Sequence, residues 1–169
     1  MFKDRSNPPT SYEASEALPI EREYDAGSNN RLPLQDEVGF VGLGRMGTAM
    51  AANLAIAGRR VLAYVRRPEQ MGRLIALGLR PTTDITDLFR CTVVISMLPD
   101  DAAVRDVVFG REEPGSRGLA SGLRPGAIHL SMSTISTAAA SQLAEEHARR
   151  GQGYVAAPVF GNPEAAKAR

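Results

Sequence analysis

The chain holds a single cysteine, Cys91, in 169 residues, and no apolar stretch approaches the roughly 20 residues that a bilayer-spanning helix needs. One cysteine cannot form a disulfide within the chain, so nothing in the sequence calls for an oxidising compartment. We therefore expect a protein of the reducing cytoplasm with no membrane partner.

Runs of basic residues are also lacking, and aromatic residues make up only 5% of the chain. The 20 basic and 19 acidic residues are divided unevenly, with 8 acidic and 4 basic residues in positions 1–37. The rest of the chain is mildly basic, which could favour a phosphate-bearing ligand. Its charges are not clustered as a nucleic-acid interface requires, so we expect no nucleic-acid partner.

The first 37 residues lack the apolar segment of a signal peptide and are too acidic for a transit peptide. Their low hydrophobicity and their content of Pro, Ser, Asn and Glu leave little surface to bury. We predict a disordered leader over 1–37 and one folded domain over 38–169. An interaction role for the leader, or a misassigned start codon, would give the same pattern.

From Val38 onward, short runs rich in β-branched residues alternate with longer runs of helical period. A glycine closely follows each predicted helix, as expected where a chain leaves a helix in a left-handed conformation. The alternation predicts an α/β fold, a doubly wound parallel sheet with helices packed on its faces. The predicted strands are 38–41, 60–65, 92–97, 127–131 and 153–156, with a weaker one near Leu79, and the predicted helices are 46–57, 68–77, 101–109 and 137–150.

Three glycines stand between the first predicted strand and the first predicted helix, in the stretch GLGRMG. The stretch matches G-x-G-x-x-G, and a second strand follows within about 30 residues, as a dinucleotide-binding fingerprint requires. In that role Gly42 permits the turn, Gly44 lets a pyrophosphate approach the backbone, and Gly47 lets the helix pack on the strand. A glycine-rich turn without a ligand is the alternative. The predicted cofactor contacts are Gly42, Leu43, Gly44, Arg45, Met46 and Gly47.

The end of the second predicted strand distinguishes the two nicotinamide cofactors. An acidic residue there would bond a ribose 2′-hydroxyl, whereas an arginine suits a 2′-phosphate. Here Arg66 and Arg67 follow the strand, and the first carboxylate comes only at Glu69. A planar guanidinium is a good phosphate partner, so we predict NADP rather than NAD as the cofactor. Two solvated surface arginines are the alternative.

Four blocks of the sequence together resemble the β-hydroxyacid dehydrogenase family, which includes 3-hydroxyisobutyrate dehydrogenase, 6-phosphogluconate dehydrogenase, glyoxylate/succinic semialdehyde reductases and imine reductases. The blocks are GFVGLGRMGTAMAANLAIAG, VVISMLPDDAAV, SMSTIS and AAPVFGNPEAA, and they follow the family's order from Gly39 to Ala166. The resemblance implies a Rossmann-like NAD(P)-binding domain of an oxidoreductase. It also implies hydride transfer between NADP(H) and a small hydroxyacid, aldehyde or imine.

The resemblance assigns roles at two strand ends. It places the loop of Met97, Leu98 and Pro99 against the cofactor. It makes Ser133 a substrate contact and puts Thr134 in the same crevice, at the cofactor. Without the family, the first segment is an ordinary strand-to-helix loop, and Ser133 is a cap for the next helix.

The block AAPVFGN aligns with the family's D-A-P-V-S-G-G, whose serine and glycines line the substrate pocket. The resemblance therefore assigns Phe160, Gly161 and Asn162 to substrate binding. Three positions depart from the family, since Ala156 replaces the acid, Phe160 the serine and Asn162 the second glycine. A bulky aromatic in place of a hydroxyl leaves room for an apolar substrate.

Family members carry a general acid/base lysine on a long helix after this domain, and the sequence ends at Arg169 before such a helix. Lys3 lies in the leader, and Lys167 reads as a solvated helix residue. His129 and His147 read as structural or surface residues, and we predict no metal site.

We therefore expect a domain without the family's C-terminal helical domain, with little activity by itself and a homodimer only if that domain is supplied. Three functions stay open. The chain is the cofactor half of a reductase, a cofactor-binding module without chemistry, or a fragment that needs a partner chain.

Overall fold

The computed structural model describes residues 37–168, so the predicted leader up to residue 36 lies outside the described residues. Strands and helices alternate through most of this range, as the sequence predicts. The strands are β1 Val38–Val41, β2 Val61–Tyr64, β3 Arg80–Thr82, β4 Val93–Ser96, β5 Ile128–Ser131 and β6 Gly153–Ala156. The α-helices are α1 Arg45–Ile56, α2 Met71–Ala76, α3 Asp101–Phe109, α4 Leu119–Gly122, α5 Thr137–Arg149 and α6 Pro163–Ala168, with 3₁₀ helices at Pro68–Gln70 and Ile85–Arg90.

All six strands pair in parallel in one sheet, in the order β3-β2-β1-β4-β5-β6. The chain runs outward from β1 through β2 to β3, then returns to the other side of β1 with β4. Crevices for ligands form where the strand order reverses in this way, outside the carboxyl ends of the strands. The prediction of a doubly wound parallel sheet is confirmed, and the crevice lies at the ends of β1 and β4.

Alternate residues of the central strands pack on opposite faces of the sheet, as the two-residue period of a strand requires. Phe40 of β1 lies in one core with residues of α1 and α2. Its neighbour Val41 lies in the other core, with the 3₁₀ helix Ile85–Arg90 and α4. Both faces are covered, which explains why the central strands read as continuous apolar runs.

Four elements differ from the sequence prediction, among them α6, which is absent from the predicted helices. The predicted helix over 68–77 begins as a 3₁₀ turn at Pro68 and becomes α-helical only at Met71. The 3₁₀ helix Ile85–Arg90 and the short α4 were not predicted. Both are too short to show a helical period, although Asp84 marks the first one by accepting a hydrogen bond from the amide of Thr86 (2.8 Å).

Glu37, which the sequence placed in the leader, belongs to the folded domain. It is 6% exposed, and its carboxylate accepts hydrogen bonds from the guanidinium groups of Arg80 and Arg90. A buried carboxylate is tolerated only with such partners. Both partners are distant in the sequence, so the local composition could not reveal that Glu37 packs with the folded domain.

Candidate cofactor site

A cleft of about 880 Å³ opens at the carboxyl ends of the central strands. Its volume lies within the usual range for small-molecule and cofactor sites. Three segments predicted to contact the cofactor line it: the glycine loop after β1, the arginines after β2, and the loop after β4. The predicted residues found in its wall are Gly42, Leu43, Gly44, Arg45, Met46, Gly47, Arg66, Arg67, Met97, Leu98 and Pro99.

The three glycines of the loop have two different tasks. A Cβ on Gly47 would lie 1.9 Å from the carbonyl oxygen of Gly42, and a Cβ on Gly42 would lie 2.1 Å from that of Met97. Gly42 also has a φ of +92°, which residues with side chains rarely adopt. A Cβ on Gly44 would meet no atom within 4 Å. Gly42 and Gly47 are therefore required for packing, whereas Gly44 leaves open space beside the backbone.

The first turn of α1 faces this space and contains neither an acidic residue nor a capping side chain. Gly44 is the N-cap residue. The free amides and the helix dipole make such an end a favourable place for an anion. The open space at Gly44 and this helix start together fit a pyrophosphate.

The arginines after β2 are exposed at the wall of the same cleft. Within residues 37–168, the side chains of Arg66 and Arg67 make no ion pair and no hydrogen bond, and the backbone carbonyl of Arg67 accepts a hydrogen bond from the amide of Gln70 (3.2 Å). Arg45, by contrast, pairs with Glu164 of α6 (3.1 Å between Nη2 and Oε1). The end of β2 therefore offers two cations without an internal partner, as a phosphate site requires.

A second wall of the cleft was missed at the sequence level. It comes from α3 and the loop after it, opposite the end of β2. Ala103, Asp106 and Val107 recur at helical spacing on one face of α3, a signal that could have been found once α3 was placed next to the cofactor loop. The wall residues without a predicted role are Val41, Tyr64, Val65, Gln70, Ile85, Ala103, Asp106, Val107, Arg111, Glu113, Ser116 and Arg117.

Ser133 and Thr134 do not line this cleft. Ser133 is 2% exposed, and its Oγ accepts a hydrogen bond from the amide of Leu98 (2.8 Å), while Thr134 is exposed. Ser133 is not the cap of the following helix either. Ser136 caps α5, accepting from the amide of Ala139 (3.1 Å).

The block predicted to bind substrate lies outside the cleft wall, next to α1. Phe160 is fully exposed, with a relative exposure of 102%. Asn162 caps α6, since its Oδ1 accepts a hydrogen bond from the amide of Ala165 (2.8 Å). The side chain of Asn53 on α1 donates to the carbonyl of Ala166 (2.6 Å), which holds α6 on α1. Lys167 is exposed on α6, as predicted.

The two histidines are fully buried, so the surface alternative is excluded for both. Gln152 Nε2 donates to two backbone carbonyls, which leaves Oε1 to accept from His147 Nδ1 (2.7 Å). His147 Nε2 must then accept from His129 Nδ1 (3.0 Å), and His129 Nε2 accepts from the Ser96 hydroxyl (2.9 Å). We call this chain the histidine seam (Ser96, His129, His147, Gln152).

Both histidines of the seam are neutral. Burial, followed by the proximity of His147, lowers the pKa of His129 to about 3. Burial also lowers the pKa of His147. Neither histidine lines the cleft, so the seam is structural. Beside it, the hydroxyls of Ser131 and Tyr154 are buried without a hydrogen-bond partner in the described chain.

A doubly wound parallel sheet with a glycine cradle, a free helix N-terminus and two unpaired arginines defines a dinucleotide-binding α/β domain. The sequence model for the NAD-binding domain of 6-phosphogluconate dehydrogenase matches residues 37–169. The chain belongs to this family of oxidoreductase domains, which confirms the resemblance stated above.

Known relatives agree with this assignment. The uncharacterized oxidoreductase YfjR of Bacillus subtilis (strain 168) is 38% identical over 131 residues, which are 77% of this chain and 44% of that protein. A structure of Psf3 in complex with NADP+ and 2-OPP superposes with a TM-score of 0.71 at 35% identity, covering 78% of this chain and 45% of that one. For 3-hydroxyisobutyrate dehydrogenase from Salmonella typhimurium the TM-score is 0.70 at 27% identity, covering 79% and 45%. The chain thus spans less than half the length of these relatives.

A membrane-spanning helix and a metal-binding cluster are both absent from the described residues. No helix within residues 37–168 is long and apolar enough to span a bilayer. The same residues contain no cluster of three or more His, Cys, Asp or Glu side chains that could hold a metal ion.

Proposed function

We propose that this domain binds NADP(H) and serves hydride transfer between that cofactor and a small hydroxyacid, aldehyde or imine. The observation that carries the proposal is the pair Arg66 and Arg67, exposed in the cleft without a partner in residues 37–168. An arginine at this position accommodates a 2′-phosphate in dinucleotide-binding domains, whereas an acidic residue there binds the ribose 2′-hydroxyl. The cofactor supplies the hydride when bound.

The other residues of the cleft fit the remaining parts of a dinucleotide. The pyrophosphate would lie in the open space at Gly44, against the first-turn amides of α1. The strands β2, β1 and β4 are adjacent in that order. The 2′-phosphate end would therefore lie at β2, the pyrophosphate at β1 and the nicotinamide end at β4. Met97, Leu98 and Pro99 would then form the wall at the nicotinamide end.

On the substrate side, Phe160 is the residue of the AAPVFGN block with the most accessible side chain. An exposed aromatic ring contributes apolar contact area, so we propose a substrate with an apolar group near the reacting carbon. Ser133, Gly161 and Asn162 complete the substrate residues that the family pattern assigns. The hydroxyl of Ser133 and the amide oxygen of Asn162 already have partners in this chain.

A second candidate function is an NADP-binding module without catalytic activity. Within the described residues, neither a lysine nor a histidine lines the cleft, and both histidines are committed to the seam. The cleft wall of this chain therefore lacks both histidine, the most frequent general acid/base, and the lysine that has this role in the family. This observation favours binding with slow or no turnover by the 169 residues themselves.

We also infer a cytoplasmic setting and a homodimer that depends on a helical domain like that of the family. Cys91 supports the first point. It is buried, and burial raises the pKa of its thiol to about 11, so the reactive thiolate does not form at neutral pH.

The proposed cofactor preference is tested by titrating NADPH and NADH into the wild type and into Arg66→Ala and Arg67→Ala. A hydrogen-bonded contact to a charged group contributes about 1.5 to 3 kcal/mol, so NADPH should bind about 10- to 150-fold more tightly than NADH. Each substitution should reduce that ratio. Arg73→Ala, an exposed arginine of α2 outside the cleft, is the matched control. Equal affinities of the wild type for both cofactors would contradict the proposal.

A turnover assay separates the two candidate functions. NADPH oxidation is followed with glyoxylate, succinic semialdehyde and a cyclic imine, once with this chain and once with a version extended by the helical domain of a relative. Positioned acid/base catalysis contributes about 10²- to 10⁴-fold, so this chain alone should show only traces of activity. Comparable rates for both proteins would overturn that expectation and direct attention to Lys167.

A further inference from the structure

The loop of Met97, Leu98 and Pro99, here called the cofactor loop, leaves the sheet at a point where backbone pairing ends. The amide of Met97 still donates to the carbonyl of Val41 (2.9 Å), as the last bond on that side of β4. The next amide, that of Leu98, donates instead to Ser133 Oγ (2.8 Å). Pro99 then has no amide hydrogen to donate. The bond to Ser133 is thus the last backbone anchor of the cofactor loop before α3.

Ser133 is placed to hold this loop and not to touch a ligand. It is 2% exposed and does not line the cleft, whereas all three residues of the cofactor loop do. On its other side the loop packs on Gly42, where a Cβ would lie 2.1 Å from the carbonyl oxygen of Met97 and 3.0 Å from the side chain of Leu98. The cofactor loop is therefore held between Gly42 and Ser133.

A second contact joins the same two strand ends without reaching the cofactor loop. Asp101 Oδ1, in the first turn of α3, accepts a hydrogen bond from the amide of Ser136 (2.9 Å), and Oδ2 accepts from its hydroxyl (2.5 Å). This carboxylate does not line the cleft. Asp101 therefore provides a control for a purely structural link between these two segments.

We propose that Ser133 is a positioning residue for the nicotinamide end of the cofactor, acting through the amide of Leu98. The inference rests on the proposed function, because it requires that NADP(H) occupies the cleft. It replaces the expectation that Ser133 contacts substrate. It also explains why a buried hydroxyl stands directly beneath a wall of the cleft.

The order of the strands provides the test. The adenosine end, with its 2′-phosphate, lies at β2, two strands away from the cofactor loop after β4. Adenosine 2′,5′-bisphosphate carries only that end, so its affinity reports on β2 and on the general integrity of the fold. Loss of a positioning hydrogen bond should weaken NADPH and leave the bisphosphate unchanged.

The experiment measures the dissociation constants of NADPH and of adenosine 2′,5′-bisphosphate for the wild type and for Ser133→Ala. We expect about tenfold weaker NADPH binding in Ser133→Ala, with bisphosphate binding unchanged. Ser133→Thr keeps the hydroxyl and should restore NADPH binding. Asp101→Asn should leave both affinities unchanged. Amide exchange of Leu98 should be fast in Ser133→Ala and slow in Ser133→Thr.

Other outcomes decide against the inference. Equal losses for both ligands would make Ser133 merely structural, and unchanged NADPH binding in Ser133→Ala would overturn its role altogether. If Ser133→Ala does not fold, Ser133→Cys replaces it, since a thiol keeps the size of the side chain but is a weak acceptor. Failure of the wild type to bind either ligand would overturn the proposed function itself.

Discussion

Around β2, the arginine side chains that face the cleft lack partners among residues 37–168, whereas around β5 the side chains of the histidine seam are hydrogen-bonded to one another. Arg66 and Arg67 have no ion pair within residues 37–168, and no side chain caps α1. Ser96, His129, His147 and Gln152 form a continuous chain of hydrogen bonds that ends on two backbone carbonyls. At the β2 side of the sheet, the arginine side chains remain accessible from outside the domain. At the β5 side, the side chains of the histidine seam are hydrogen-bonded within the domain.

The difference follows from exposure to water. In an open cleft, water satisfies an amide or a guanidinium until a ligand takes its place, so unpaired donors cost little. A buried polar group without a partner costs about 1 to 3 kcal/mol. A buried polar side chain with a hydrogen-bond partner inside this domain therefore indicates a structural role. An accessible polar side chain without such a partner indicates a binding role.

The largest expected effect breaks the glycine loop itself. In Gly47→Ala the new Cβ would lie 1.9 Å from the carbonyl oxygen of Gly42, so we expect a loss of about 3 kcal/mol or more in the free energy of unfolding. Gly44→Ala is the matched control and should change that free energy by less than about 1 kcal/mol, because its Cβ meets open space. Urea unfolding measures both. Equal free energies of unfolding for the two variants would contradict the conclusion that Gly47 is required for packing and Gly44 is not.

The histidine seam should make stability depend on pH. Its histidines have lowered pKa values in the fold, so they stay neutral while the unfolded chain takes up protons below its ordinary value of 6.5. The contribution of these neutral histidines to the free energy of unfolding is complete above about pH 6.5, and it is lost as the pH falls towards 3. Each proton corresponds to about 1.4 kcal/mol per pH unit, measured by urea unfolding between pH 7 and 5.

The other acidic groups and Tyr154, whose pKa values are shifted, do not obscure this window. Tyr154 packs on both rings and has a raised pKa, caused first by burial, so it stays neutral. The carboxyls of Asp84, Asp101 and Glu146 have lowered pKa values, caused first by side-chain hydrogen bonds, so their contribution is lost only below their ordinary values of 3.8 and 4.5. His129→Gln should flatten the curve. If the free energy of unfolding of the wild type did not change between pH 7 and 5, the histidines of the seam would have to take up protons in the folded state as well.

A smaller effect is expected at Asn162, a predicted substrate residue whose side chain caps α6. Asn162→Ala should cost about 1 kcal/mol, seen as faster amide exchange at Ala165, with NADPH affinity unchanged. Asn162→Ser retains a capping oxygen and serves as the control. Weaker NADPH binding in Asn162→Ala, with normal amide exchange at Ala165, would mean that the side chain of Asn162 contacts the ligand. Its hydrogen bond to the amide of Ala165 would then be no guide to its function.

The smallest effect is expected for the pair of Arg45 and Glu164, whose side chains are 80% and 63% exposed. A double-mutant cycle with Arg45→Ala and Glu164→Ala should give a coupling of less than about 1 kcal/mol, further reduced by salt. Measuring the NADPH affinity of the same variants compares the contribution of Arg45 to binding with that of Arg66. A larger loss of affinity in Arg45→Ala than in Arg66→Ala would place the main phosphate contact at the glycine loop.

Much of the domain could be predicted from local patterns. The strands and the longer helices follow from runs of a few neighbouring residues. Eleven of the twelve predicted cofactor residues lie in the cleft wall, eight of them from the glycine loop and the two arginines and three from the loop that the family resemblance assigned. Asn162 was a readable signal that the family alignment obscured, since an asparagine followed by Pro163 and Glu164 is typical of a helix start. The wall formed by α3 required knowing which face of that helix turns towards β2.

The sequence by itself determined the parallel sheet, the glycine loop and the arginines at the end of β2, because a strand, a helix start and a turn each depend on residues close together in the chain. The tertiary structure alone decided which polar groups already have a hydrogen-bond partner within the domain. Ser133 meets Leu98 across 35 residues, His129 meets His147 across 18, and Glu37 meets Arg90 across 53. A hydrogen bond depends on distance in space and not on separation along the chain, so only the packed sheet could separate the groups that support the fold from those left for a ligand.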